Sequence, residues 1–269
     1  MHFPLNKISP ISELDKAIKI IENMDRPYWL DLHWEDLAQK VKKIRENTDR
    51  LLVGSFQGHI FQAGQFLRGW TEFLLDLASN PTFAEALMER LADSHIRAFD
   101  RYAVTVGKYI DVIQVNDDLG MQDAMFISPD TYRKHVKPYH AKLYKYIKDK
   151  SNIPLFLHSD GSFYQIIPDL IEIGVDILNP IQYTAKDMDL TKLKKEFGKD
   201  LCFWGGGLDT QKILPFGTRQ DVEDEIKRNI DIMAPGGGFV FAAVHNITEG
   251  VPVENIIATY CTAAEHGRY

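Results

Sequence analysis

Ile153-Pro154-Leu155-Phe156-Leu157-His158-Ser159-Asp160-Gly161 is an apolar run that ends in two chemically active side chains. A short, wholly apolar run bounded by turn residues reads as a strand buried on both faces. Two other runs end alike. Phe239-Val240-Phe241-Ala242-Ala243-Val244 leads into His245-Asn246, and Val112-Ile113-Gln114-Val115 leads into Asp117-Asp118. Three strands thus deliver histidines and carboxylates at their carboxyl ends. In a parallel barrel, that end carries the catalytic groups.

Working outward, strand and helix signals alternate. Leu51–Phe56 reads as a strand, and helix-spaced apolar residues follow over 60–79 and 81–107, with Pro81 in the first turn of the second. Ser128-Pro129-Asp130 opens a helix that runs to about Ile147, because Ser caps and Pro suits the first turn. Beyond the 153–157 strand come a helix over 162–173, a strand over 175–178, a helix over 189–197 and a strand over 201–204. A helix over 219–233 stops at Pro235-Gly236-Gly237-Gly238, a strand covers 238–244, and a helix over 252–266 follows. The β-α repetition predicts the α/β class with a parallel sheet covered by helices. No linker or internal repeat divides the chain, so residues 1–269 read as a single domain with a mainly helical lead-in over 1–50, where Glu13–Met24 and Trp34–Glu46 are the helix candidates. A (β/α)8 barrel of about 250 residues has eight strands; this pattern supplies six clear ones.

The composition sets limits. The 269 residues are 45% hydrophobic and 26% charged, with a net charge of −7 and a pI near 5.7. Nucleic acid needs basic stripes, so it is not the expected partner. Nothing approaches the roughly 18 apolar residues of a membrane span, and Met1-His2-Phe3-Pro4 is unlike a signal peptide. A cytoplasmic location is expected, with Cys202 and Cys261 as buried thiols and no disulfide framework.

His158-x-Asp160 puts two side chains on one side of an extended backbone. Those two residues, with His245 from another strand, can hold one metal ion, since catalytic zinc takes three N, O or S ligands and keeps one position open. A metal-free His–Asp pair acting as acid and base is the alternative, and a structural hydrogen bond at a barrel mouth is the bland one. One of Asp117 and Asp118 should face the site while the other caps a turn. Asn179 and Gln182, in Asn179-Pro180-Ile181-Gln182, are candidate substrate contacts; Asn-Pro turn chemistry explains Asn179 equally well. Trp204-Gly205-Gly206-Gly207-Leu208-Asp209 lacks the spacing of a dinucleotide fingerprint. It either lets backbone approach a planar ligand or simply turns sharply.

From about residue 50 onward the ordered motifs resemble the uroporphyrinogen decarboxylase superfamily. They include Gly64-Gln65-Phe66-Leu67-Arg68-Gly69, Asp117-Asp118-Leu119-Gly120, Ser128-Pro129, Gly205-Gly206-Gly207-Leu208-Asp209, Gly217-Thr218, Gly237-Gly238, His245-Asn246-Ile247 and Val251-Pro252-Val253-Glu254-Asn255. The resemblance implies a distorted (β/α)8 TIM-type barrel of uroporphyrinogen decarboxylase type, here with its N-terminal unit shortened. It also implies a site at the carboxyl ends of the strands. One branch of the superfamily decarboxylates a tetrapyrrole without a cofactor. The other moves methyl groups between a corrinoid protein and a thiol or other acceptor, using zinc held by a His-x-Cys pair and a later Cys. Here His158 matches that histidine, Asp160 stands at the first cysteine and His245 at the second. The decarboxylase tyrosine falls on Gln65. Its N-terminal arginine pair and aspartate have no counterpart in this sequence, and Arg68 is the only arginine in the early strand-helix region.

The leading expectation is therefore a corrinoid-linked methyltransferase or demethylase component. Asp117, Asp118, His158 and His245 are its catalytic candidates, and Gln65, Arg68, Asn179, Gln182 and Asn246 its substrate contacts. His158, Asp160 and His245 would hold zinc. Expected partners are a small methyl donor or acceptor, a protein carrying the corrinoid, and a second copy of the chain. A tetrapyrrole decarboxylase is the alternative. The third expectation is a non-catalytic barrel that binds a corrinoid protein or sister subunit.

Overall fold

The computed structural model describes residues 34–267 together with Leu5, Lys7 and Lys19. The expected helix at Glu13–Met24 lies outside the described residues. Two compact units emerge: Met1–Asp118 with Ile127–Leu157 and Pro168–Val175, and Leu119–Phe126 with His158–Ile167 and Asp176–Tyr269.

The first unit carries α1 (Trp34–Glu46), β1 (Val53–Gln57), α2 (Phe61–Arg68), α3 (Trp70–Ser79), α4 (Pro81–Val106), β2 (Val112–Asn116), α5 (Lys137–Lys150) and β3 (Leu155–His158), whose last residue belongs to the second unit. The helix expected over 60–79 is two helices, because Gly69 adopts φ 103° and breaks it. The two then pack closely: a Cβ on Gly64 would sit 2.4 Å from the Phe73 ring. Ser128 caps as expected, accepting from the Thr131 amide, and a π turn at Tyr132–Val136 leads into α5. β1 and β2 pair in parallel, and Val112, Ile113 and Val115 are buried.

After α6 (Ile167–Glu172), the second unit continues with β4 (Ile177–Asn179), α7 (Leu190–Phe197), β5 (Cys202–Trp204), α8 (Ile213–Phe216), α9 (Arg219–Met233), β6 (Phe239–Val240) and α10 (Val253–His266). A reciprocal capping box of Thr218 and Asp221 starts α9. Its residues Val222, Ile226 and Ile230 recur at helical spacing and pack with Leu208, Leu214, Val251 and Ala258 into one apolar cluster. Each such side chain contributes roughly 1.5–3 kcal/mol on full burial. The strand expected over 238–244 is regular only at Phe239–Val240. Past Val240 the chain keeps backbone bonds, Gly207 N to Ala242 O at 2.9 Å and Val244 N to Leu208 O at 3.1 Å. Its neighbour there is the irregular glycine run, so no ladder forms. Cys261 is exposed rather than buried, because it lies on the outer face of α10.

Strand order follows chain order, β1-β2-β3 in the first unit and β4-β5-β6 in the second, with parallel pairing at β1–β2, β4–β5 and β5–β6. Six strands alternating with helices in this order make the fold class α/β, of the TIM-barrel type. Among the described residues no helix is long and apolar enough to cross a membrane.

His95, in α4, is fully buried, and its Nε2 lies 2.7 Å from the His59 carbonyl. Burial lowers its pKa from 6.5 to about 4, against the weaker opposing pull of that hydrogen bond. The unfolded chain therefore takes up this proton at a higher pH than the folded one. The stability contributed by a neutral His95 is complete above pH 6.5 and is lost as pH falls toward 4, on the order of 3 kcal/mol in all. Urea unfolding at about pH 7 and about pH 4.5 should show a smaller acid loss in His95→Gln than in wild type. Equal losses in both proteins would remove His95 from the account.

Candidate active site

The second unit brings His158, Asp160, Asn179, His245 and Asn246 together. His158 closes β3 and Asn179 closes β4. The Asn179 amide is held at both ends: its Nδ2 donates to the Trp204 carbonyl at 2.9 Å, and its Oδ1 lies 2.7 Å from His158 Nδ1. An acceptor at that distance requires Nδ1 to carry a proton. In the neutral ring Nε2 is then a lone pair, and it lies 3.8 Å from Asp160 Oδ2. His245 Nε2 reaches the same oxygen at 3.5 Å. Asp160 is the shared partner, and the two imidazoles meet through it rather than through each other.

Glycine geometry places Asp160. Gly161 follows it with φ 84°, and a Cβ there would lie 2.4 Å from the Gly120 carbonyl carbon. A Cβ on Gly120 would lie 2.6 Å from Ser162 N. Two backbones touch with no side chain between, so the turn after β3 cannot drift. Gln182 adds to this by accepting from the Gly161 amide at 2.9 Å and donating to Gln122 at 2.8 Å. Its side chain thus holds the turn. A cavity of about 400 Å³ opens beside these groups, lined by His158, Asn179, Ala242–Asn246, Ile247 and Tyr260. No arginine or lysine is among those residues.

The other candidates lie in the first unit. Asp117 is fully buried and accepts from the amides of Ile60 and Phe61 at 2.8 Å and of Gln62 at 2.6 Å, at the start of α2. His140 Nε2 completes the set at 2.8 Å. Burial pushes this carboxyl up, but the bond and charge of His140, the charge of His59 and the Gln62 amide outweigh it and hold the pKa below the usual carboxylate range. That is the setting of a helix anchor. Asp118 Oδ2 accepts from Gln62 Nε2 at 2.7 Å.

Arg68 and Gln65 are likewise internal. Arg68 pairs with Asp76 at 2.7 Å, donates to the Leu5 carbonyl at 2.6 Å and lies over the Phe83 ring. Gln65 is fully buried. Both side chains are buried within the first unit. Sequence reading missed Gly120, Gly161, Gln122 and Tyr260. The glycines had a signal, each following an acidic strand end, whereas Tyr260 and Gln122 had none.

Residues 16–266 match the family model for uroporphyrinogen decarboxylase (URO-D). The chain belongs to that family. No curated protein matches the sequence significantly. A methyltransferase from Methanosarcina mazei is similar in structure, with a TM-score of 0.65 and 21% identity over 86% of this chain and 64% of that one. At that identity the likeness is one of fold, and the chain spans about two thirds of that protein's length.

The Arg68–Asp76 pair carries a stability expectation. Its side chains are 5% and 6% exposed. Arg68→Ala strands a buried carboxylate and should cost about 3–5 kcal/mol in denaturant unfolding. Replacing both partners by apolar residues should recover most of that loss. An Arg68→Ala protein of wild-type stability would return Arg68 to the list of surface binding groups.

Proposed function

We propose that this chain is a methyltransferase, or the demethylating component of one, that works with a corrinoid carried on a partner protein. Its metal site would be formed by His158, Asp160 and His245. The observation that carries this reading is the approach of two imidazole nitrogens, one from the end of β3 and one from the segment after β6, to one carboxylate oxygen. The donor set suits zinc: two nitrogens and an oxygen, with room for a fourth position in an open cavity. Ligands of a tetrahedral zinc at about 2.1 Å lie about 3.4 Å apart; the two separations at Asp160, 3.5 and 3.8 Å, come near this, while the two imidazoles stand farther apart and His245 would have to turn inward to complete the set. Asn179 supports it further, since a ligating histidine usually donates its other ring N–H to a fixed acceptor.

Bound there, a divalent ion would supply Lewis acidity, lowering the pKa of a thiol or activating a leaving oxygen. The chain's own residues do the rest. Asn179 keeps the His158 lone pair pointing toward Asp160. His245, with a side chain half exposed, can turn toward the other two. Asp160 contributes the negative charge that a dication needs. Ala242, Ala243, Val244 and Ile247 supply the small and apolar part of the cavity wall.

The family's own name favours a second reading, tetrapyrrole decarboxylation. Against it stands a cavity lining without arginine or lysine, since a polycarboxylate is held by arginine forks. Two measurements separate the readings. Protein purified without chelator should hold about one equivalent of zinc by elemental analysis, and His158→Ala should lose it while keeping its circular dichroism spectrum. Absence of divalent metal from the wild type would end the metal reading. Incubation with uroporphyrinogen should yield no coproporphyrinogen, and steady turnover would put decarboxylation first.

A further inference from the structure

The glycine run Gly205–Gly206–Gly207 separates the segment that carries Asn179, the partner of His158, from the segment that leads to His245. On one side, a Cβ on Gly205 would lie 3.4 Å from Pro180 Cα and 3.5 Å from Asn179 Nδ2, and one on Gly206 3.0 Å from Ile181 Cβ. On the other side, a Cβ on Gly207 would lie 2.3 Å from the Phe241 ring and 2.9 Å from the Ala242 carbonyl. Gly205 and Gly206 also take φ of 101° and 81°, which other residues rarely adopt. Hydrogen bonds leave the run in both directions. The Trp204 carbonyl takes the Asn179 amide that orients His158. Gly205 N donates to Val240 O, Gly207 N to Ala242 O, and Leu208 O accepts from Val244 N, the residue before His245.

One buried side chain secures this run from behind. Asn229 of α9 is fully buried, and its Nδ2 donates to the carbonyls of Gly206 and Gly207, each at 3.2 Å. Its Oδ1 accepts from Arg228 Nε at 3.2 Å, so the amide is oriented with its donor toward the loop. Arg228 in turn pairs with Glu225 at 3.0 Å, and the other Glu225 oxygen accepts from Asp209 N at 3.2 Å. Gly206, Gly207 and Asp209 are therefore fastened to α9.

We propose that Asn229, acting through the Gly205–Gly207 backbone, is a positioning residue that sets the orientation of His158 and the placement of His245. This rests on the metal reading for its consequence in catalysis, but not for its geometry. Asn229 touches neither histidine. Without its donor, two glycine carbonyls lose a partner inside the protein, and the loop is free to shift against both strand ends.

The test uses the whole chain with selectively ¹⁵N-labelled histidine, in wild type and Asn229→Ala. In chelator-treated protein at mildly alkaline pH, the imidazole nitrogen shifts of wild-type His158 should report one tautomer, with the proton on Nδ1. Asn229→Ala should mix the two tautomers. Cobalt(II) chloride added to each protein reads the consequence, and its affinity, followed by visible absorption, should weaken tenfold or more in the variant, as for other supports of a metal ligand. A variant with lowered thermal stability but wild-type tautomer and cobalt affinity would overturn the inference and leave Asn229 a purely structural residue. Wild type that binds no cobalt, with the tautomer still disturbed in the variant, would overturn the metal reading and support the positioning role. Should Asn229→Ala not fold, Asn229→Leu serves, because it keeps the side-chain volume and removes only the amide that bonds the two glycine carbonyls, and the same shift in tautomer is expected.

Discussion

Backbone against backbone is the constraint on which the second unit depends. Where β4, β5 and β6 end, the chain gives up regular pairing and relies on glycines to let loops approach closely. Gly205, Gly206 and Gly207 do this between the Asn179–Ile181 and Phe241–Ala242 segments, and Gly120 and Gly161 do it at the turn that carries Asp160. Any side chain at Gly120, Gly161 or Gly207 would collide with backbone. The histidines and the aspartate are thus placed by the absence of side chains around them. Loops lacking Cβ atoms lose much entropy on folding, and here buried amides such as Asn229 offset it by satisfying the exposed carbonyls.

The first unit solves a different problem, which is how to keep polar groups inside. Asp117 brings a carboxylate to the start of α2 and meets three backbone amides that have no partner within the helix. His140 and the favourable N-terminal end of the helix add to the compensation. Arg68 and Asp76 neutralise each other beside Phe83 in the same region. Buried charges survive only in such company, since an isolated ion in the interior would cost several kcal/mol.

The two polar systems divide the work. Asp117 and Arg68 are buried among fixed hydrogen-bond partners. His158, Asp160 and His245 face one another across distances longer than hydrogen bonds, beside an open cavity. Membership of the uroporphyrinogen decarboxylase family does not by itself choose between decarboxylation and methyl transfer. That choice lies in the chemistry of the cavity wall.

Local sequence determined the alternation of strands and helices, because apolar periodicity and capping residues act within a few positions. The helix Arg219–Met233 follows directly from Thr218, Asp221 and its apolar spacing. It determined too that His158 and Asp160 share one side of a strand end, because that follows from the two-residue period of extended chain. Only the tertiary structure decided which polar residues pair inside the fold and which border the cavity. Arg68 looks like an anion clamp until Asp76 and the Leu5 carbonyl meet it, and Asp117 looks catalytic until α2 closes over it. The strand expected over 238–244 gave way after Val240, because its neighbour had become a glycine loop. Hydrogen-bond partners dozens of residues away set each outcome, and no short stretch of sequence contains them.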